Sequence, residues 1–150
     1  MPQRPDRGAP GAWLGAADFR PGFRFAREIE DALTGQVLRA EGTVCFTPDA
    51  AGLIYAESGR LHLPGRAPMQ AERRYLWRFE ASGVAVFFED GRPFHHFVPA
   101  GQGAGSDHPC GSDHYRVAYD FTRWPCWTAT WRVTGPRKAY VSRTLHEPLA

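Results

Sequence analysis

From Phe23 onward, apolar side chains recur at every second position over short runs, and each run ends at turn-forming residues. A period of two marks a β-strand with one buried face. The pattern predicts strands near 23–31, 36–47, 51–63, 70–80, 83–89, 92–98, 113–121, 127–134 and 138–146. Pairs such as Thr34-Gly35, Pro64-Gly65, Asp90-Gly91 and Gly135-Pro136 separate them, with a long glycine-rich loop at 99–112. No interval is long enough for the helix of a βαβ unit. Eight or nine sequential strands therefore predict an all-β fold, a single closed or nearly closed antiparallel up-and-down barrel, which removes exposed edges. Upstream, residues 13–19 read as one short helical turn that closes an end of the barrel before Pro21-Gly22 stops it. The Pro-, Gly- and Arg-rich residues 1–12 read as a disordered tail, which leaves 13–150 as the barrel domain.

The sharpest local signal is the run from Phe87 to Phe94, with Asp90-Gly91 between apolar segments. Asp-Gly is a preferred pair for a two-residue hairpin loop. That loop sets Glu89 against Arg92, Phe87 against Phe94, Val86 against His95 and Val84 against Phe97. Pro93 has no N–H to donate, so a break in the ladder is expected beside it. Phe87 and Phe94 then share the outer face, as an apolar pair suited to a homodimer contact.

Alternation also sorts the polar residues. Along each strand the more apolar set marks the interior, and Arg27, Glu57, Arg73, His95 and Asp113 all fall on that inward phase. An unpaired buried ion costs several kcal/mol, so such groups need a partner, water or a ligand. Two arginines balance two carboxylates, and an anionic ligand is not demanded. Together with the inward Tyr55, Tyr75, Trp77, Tyr115 and Trp131 they make a candidate ligand-binding set. In the last strand the two phases compete: Lys138, Tyr140 and Ser142 against Ala139, Val141 and Arg143.

Composition narrows the function classes. The chain has 150 residues, 13% of them aromatic, and a formal net charge of +2. Its basic residues are interleaved with acids rather than gathered in a stripe, which argues against nucleic acid. No apolar run is long enough to span a bilayer, which argues against a membrane protein. Three cysteines without CxxC spacing point to a reducing cytoplasm rather than a disulfide framework.

Candidate chemistry is sparse. His108, Cys110, Asp113 and His114 are ligand types, as are His95 and His96, but their spacing matches no established metal site. A haem ligand from His95 or His108 has no further support, and no metal or cofactor is expected. Acid–base catalysis by His95, oriented by Asp113 or Glu57, is the alternative to a binding role. A structural or interaction protein without a ligand is another. The leading expectation is a binding protein for a small hydrophobic or amphipathic molecule held inside the barrel.

Several stretches carry a resemblance. They are Phe23-x-Phe25-x-Arg27, Gly42-x-Val44-x-Phe46, Tyr55-x-Glu57-x-Gly59, Arg74-Tyr75-x-Trp77 and Phe88 through His95. Two more follow, His108-x-Cys110-x-x-Asp113-x-Tyr115 and Trp127-x-x-x-Trp131-x-Val133-x-Gly135-Pro136-x-Lys138. Over about Phe23 to Arg143 the chain resembles an uncharacterised bacterial domain-of-unknown-function family with a lipocalin-like, calycin-type barrel. The resemblance implies that barrel and an intracellular location, and no activity. Phe23 stands where such proteins place the Trp of an opening Gly-x-Trp. Separately, Arg73-x-Tyr75 is similar to the inward Arg-x-Tyr with which intracellular fatty-acid-binding barrels hold a carboxylate.

Overall fold

The computed structural model describes residues 13–102 and 105–149. The tail expected over 1–12 lies outside the described residues. Ten antiparallel strands follow one 3-10 turn, Ala16–Phe19: β1 (Gly22–Asp31), β2 (Val37–Asp49), β3 (Gly52–His62), β4 (Met69–Glu80), β5 (Gly83–Phe88), β6 (Pro93–Phe97), β7 (His108–Cys110), β8 (Asp113–Asp120), β9 (Trp127–Gly135) and β10 (Lys138–Pro148). Nine of these coincide with the alternating runs. The tenth, β7, is three residues inside the glycine-rich stretch, too short for a period to register.

All ten strands belong to one sheet in the order β6-β5-β4-β3-β2-β1-β10-β9-β8-β7. Every neighbour in that order is a sequence neighbour except β1 and β10, which pair from Phe23 against Pro148 to Asp31 against Tyr140. Chain start and chain end thus meet in the middle of the sheet, and curling brings β6 and β7 towards each other. The strand pairing does not run through that seam. Contact across it comes from a Phe97–Gly105 bridge and a Ser106 N–H donating to the His96 carbonyl. The result is a nearly closed antiparallel barrel.

One end is filled. Asp18 accepts the Gly15 N–H at 2.7 Å and tightens the 3-10 turn, which delivers Phe19, with no exposed surface, into the barrel. Its ring meets those of Phe23, Phe46, Trp77, Phe79, Phe121, Trp124 and Trp127 at 5.1–6.4 Å. Edge and tilted geometries predominate, as the ring quadrupole favours. Across β2 and β3, Gly42 faces Gly59, and a methyl group on Gly59 would meet the Glu41 carbonyl and the Phe25 ring. Glycine there lets Phe25 lie close against the sheet.

The β5–β6 hairpin departs from expectation. Its loop is three residues, Glu89 to Gly91: the Gly91 N–H donates to the Phe88 carbonyl and the Phe88 N–H to the Arg92 carbonyl. Gly91 takes φ +88°, the left-handed position that a three-residue loop needs. Phe87 consequently faces Pro93, and the register shifts between Val86 and Phe87 before Val86 meets His95. Arg92 pairs with Asp90 at 2.7 Å rather than with Glu89. The break beside Pro93 appears as expected, but the extra residue it inserts is Phe94, which turns inward. The outer Phe87–Phe94 pair does not exist.

Candidate functional site

Beyond the aromatic plug the barrel encloses an open cavity of about 460 Å³. Of the ten residues expected to form the binding set, nine line it: Arg27, Tyr55, Glu57, Arg73 and Tyr75, and with them Trp77, His95, Tyr115 and Trp131. The tenth, Asp113, is a correction. It stands at the rim at the start of β8, 3.4 Å from the Lys138 ammonium, outside the cavity. A first residue of a strand has no full pleat to hold its phase.

The deepest charged group is an ion pair between the two strands that flank β2. Arg27 on β1 donates two N–H bonds to the two oxygens of Glu57 on β3, at 2.9 and 2.6 Å. The third guanidinium bond runs from Nε to Thr144 Oγ1 at 2.7 Å, and the Tyr55 hydroxyl donates to Glu57 at 2.7 Å. Burial by itself raises the Glu57 carboxyl; the Arg27 guanidinium and the Tyr55 hydroxyl outweigh it and hold the group below its ordinary value. Burial and the adjacent Glu57 charge push the Tyr55 phenol well up. The cluster is charge-balanced and internally bonded, so it asks for no counter-ion.

Arg73 is different. It faces Glu57 across the β3–β4 ladder, yet its Nε lies 3.9 Å away, and the side chain is 54% exposed. Glu57 is already engaged by Arg27, which leaves the Arg73 guanidinium with spare donors at the cavity mouth. Arg73 donates to the Tyr75 hydroxyl and lies beside Tyr140; burial chiefly raises both phenols, and the Arg73 charge pulls against it. Asp31 lines the mouth too, its Oδ1 accepting the Leu33 N–H at 2.9 Å.

Among the described residues His95 has no carboxylate partner. Its Nε2 lies 2.8 Å from the Tyr119 hydroxyl, and its Nδ1 is buried without a hydrogen bond among the described residues. Burial, with the neighbouring His108 and His96, lowers the imidazole to about 3. The arrangement expected for acid–base work, His95 oriented by Asp113 or Glu57, is therefore not formed. The His-Cys-Asp-His run disperses as well: His108 and Cys110 line the cavity, while His114 turns to Asp107 at 3.2 Å. Among the described residues no cluster of three His, Cys, Asp or Glu side chains is placed to hold a metal.

Several lining residues escaped the sequence analysis. Tyr140, Ser142, Thr144 and His146 form the inward face of β10, the strand whose phase was undecided. That face is polar because it borders Arg27 and the cavity, so apolarity could not mark it. His146 is 2% exposed and stacks on Trp127 at 3.5 Å, and burial lowers it to about 3. Phe94 was misassigned through the bulge; it stacks on Phe88 at 4.5 Å and on Trp131 at 5.1 Å.

No helix among the described residues is long and apolar enough to cross a membrane. No curated protein and no solved structure is similar enough to this chain to count as a match. The family comparison does give a match, over residues 19–148, which takes in every strand and the cavity. The chain belongs to the family described as a family of unknown function, DUF6314.

Proposed function

We propose that the protein binds a small amphipathic molecule inside its barrel. The observation that carries this reading is the contrast between two arginines in one cavity: all three guanidinium nitrogens of the buried Arg27 are bonded, while the half-exposed Arg73 keeps donors to spare at the mouth. A cavity of about 460 Å³ falls in the range of small-molecule sites, roughly 300–1,000 Å³. Its walls combine aromatic rings with polar groups, and the half-exposed charge of Arg73 stands at the mouth. The apolar part of a ligand enters the barrel and its polar head meets Arg73, whose fork suits an acidic group.

The up-and-down strand order with one filled and one open end supports kinship with lipocalin-like barrels, although ten strands exceed the number expected. Three unpaired cysteines favour a reducing, cytoplasmic setting. His95, which among the described residues bonds to Tyr119 and to no carboxylate, lends no support to the acid–base alternative.

Native mass spectrometry of protein purified from its own host tests the proposal. The expected result is a bound small molecule that the Arg73→Gln variant retains poorly. A chain that always flies bare, and whose melting temperature no amphipathic acid raises, would overturn it.

A further inference from the structure

Resting on that binding role, we infer that the ligand's body is a flat aromatic ring system carrying polar substituents, not an alkyl chain. The first observation is how the chain distributes its rings. All five tyrosines line the cavity, but only Phe88 and Phe94 of the ten phenylalanines do. Phe19 and the seven rings packed on it, which fill the closed end, include no tyrosine. Phenylalanine is the residue for filling space. Tyrosine offers the same apolar face with a hydroxyl that has to be bonded when water leaves.

The second observation concerns where those hydroxyls go. Tyr55, Tyr75, Tyr115 and Tyr119 are taken by Glu57, Arg73, Lys138 and His95. Tyr140 and its strand neighbour Ser142, two residues on, make no side-chain hydrogen bond among the described residues. An alkyl chain pressed against these groups would strip their water and return nothing, a net loss for each hydroxyl left dry. A ring system bearing oxygen or nitrogen gives them partners and still presents apolar faces to the walls.

The third observation is the wall itself. Phe88, Phe94 and Trp131 lie nearly parallel, with interplanar angles of 19° and 11°. Rings locked against one another have little rotamer freedom left to lose, so they favour a ligand that is equally rigid. A flexible chain would surrender its own torsional freedom on entry. Arg73 at the mouth serves either kind of acid, and so it does not discriminate between them.

Calorimetric titration of the full chain with 6-hydroxy-2-naphthoate and with dodecanoate separates the cases, because the two match in head group and in number of non-hydrogen atoms. The hydroxynaphthoate is expected to bind at least about tenfold more tightly, a difference of about 1.4 kcal/mol. Phe94→Leu, which removes a ring but keeps an apolar side chain, should erase most of that preference while near-ultraviolet circular dichroism shows the fold intact. Tyr140→Phe should narrow the advantage of 6-hydroxy-2-naphthoate over plain 2-naphthoate. Dodecanoate binding as tightly as the aromatic acid, or more so, would overturn the inference and leave the broader binding role standing. Binding of neither acid would overturn both.

Discussion

At the scale of single residues, the Arg27–Glu57 pair separates cost from benefit. Two charges at 2.6 Å, with side chains only 10% and 5% exposed, have given up most of their water. Their attraction largely offsets that loss, so the intact pair adds little net stability, whereas removing one partner strands the other. Glu57→Leu should therefore destabilise the protein by roughly 3–5 kcal/mol in urea denaturation. The double variant Arg27→Met with Glu57→Leu should recover most of that. A double variant as unstable as the single one would show that the pair is held for more than its charge balance. The same residue-level logic explains why Arg27 and Arg73, both inward by phase, are not equivalent. Glu57 has two carboxylate oxygens, and Arg27 engages both of them.

At the scale of elements, the seam between β6 and β7 matters most. Both strands are short, and Pro93 and Pro109 deprive each of an N–H. Along the cavity the two edges meet through rings rather than a ladder, with Phe94 and His108 at 5.3 Å. This is also where Cys110 borders the cavity, while Cys45 on β2 lies exposed outside it. Bound 6-hydroxy-2-naphthoate should slow alkylation of Cys110 several-fold and leave Cys45 unchanged, as mass-spectrometric peptide mapping would show. Equal protection of both thiols, or of neither, would place the ligand elsewhere.

At the scale of the whole molecule, two imidazoles are buried in the barrel interior, which makes stability depend on acid. His95 and His146 are both lowered to about 3 by burial, below the ordinary value of 6.5. In the unfolded chain they take up protons near pH 6.5; in the folded chain they do not until about pH 3. The unfolded state therefore binds more protons throughout that window, and stability falls as pH falls across it. With two such groups the slope approaches about 2.7 kcal/mol per pH unit. Glu57, whose pKa is also depressed, adds a loss of the same sign below its unfolded value near 4.5. Urea denaturation between pH 7 and 4 should show this decline, and His146→Phe should halve its slope above pH 5. A flat profile would mean that the imidazoles are not held neutral.

The legible part of this protein was whatever a period of two can carry. Nine strands and the inward phase of Arg27, Tyr55, Glu57, Tyr75, Trp77, His95 and Trp131 follow from alternation, because a pleat places every second side chain on one face. Alternation fails where the pleat is broken or the buried face is polar. Phe94 turned inward because a bulge beside Pro93 shifted the register, and β10 hid its phase because a cavity, not a core, lies against it. The pairing of His95 with Tyr119 and of Arg27 with Glu57 joins residues distant along the chain. Arg27 and Glu57 meet across β2, and only the curl of the sheet brings β6 over to β8, so which polar groups are spent and which remain free was decided by tertiary structure alone.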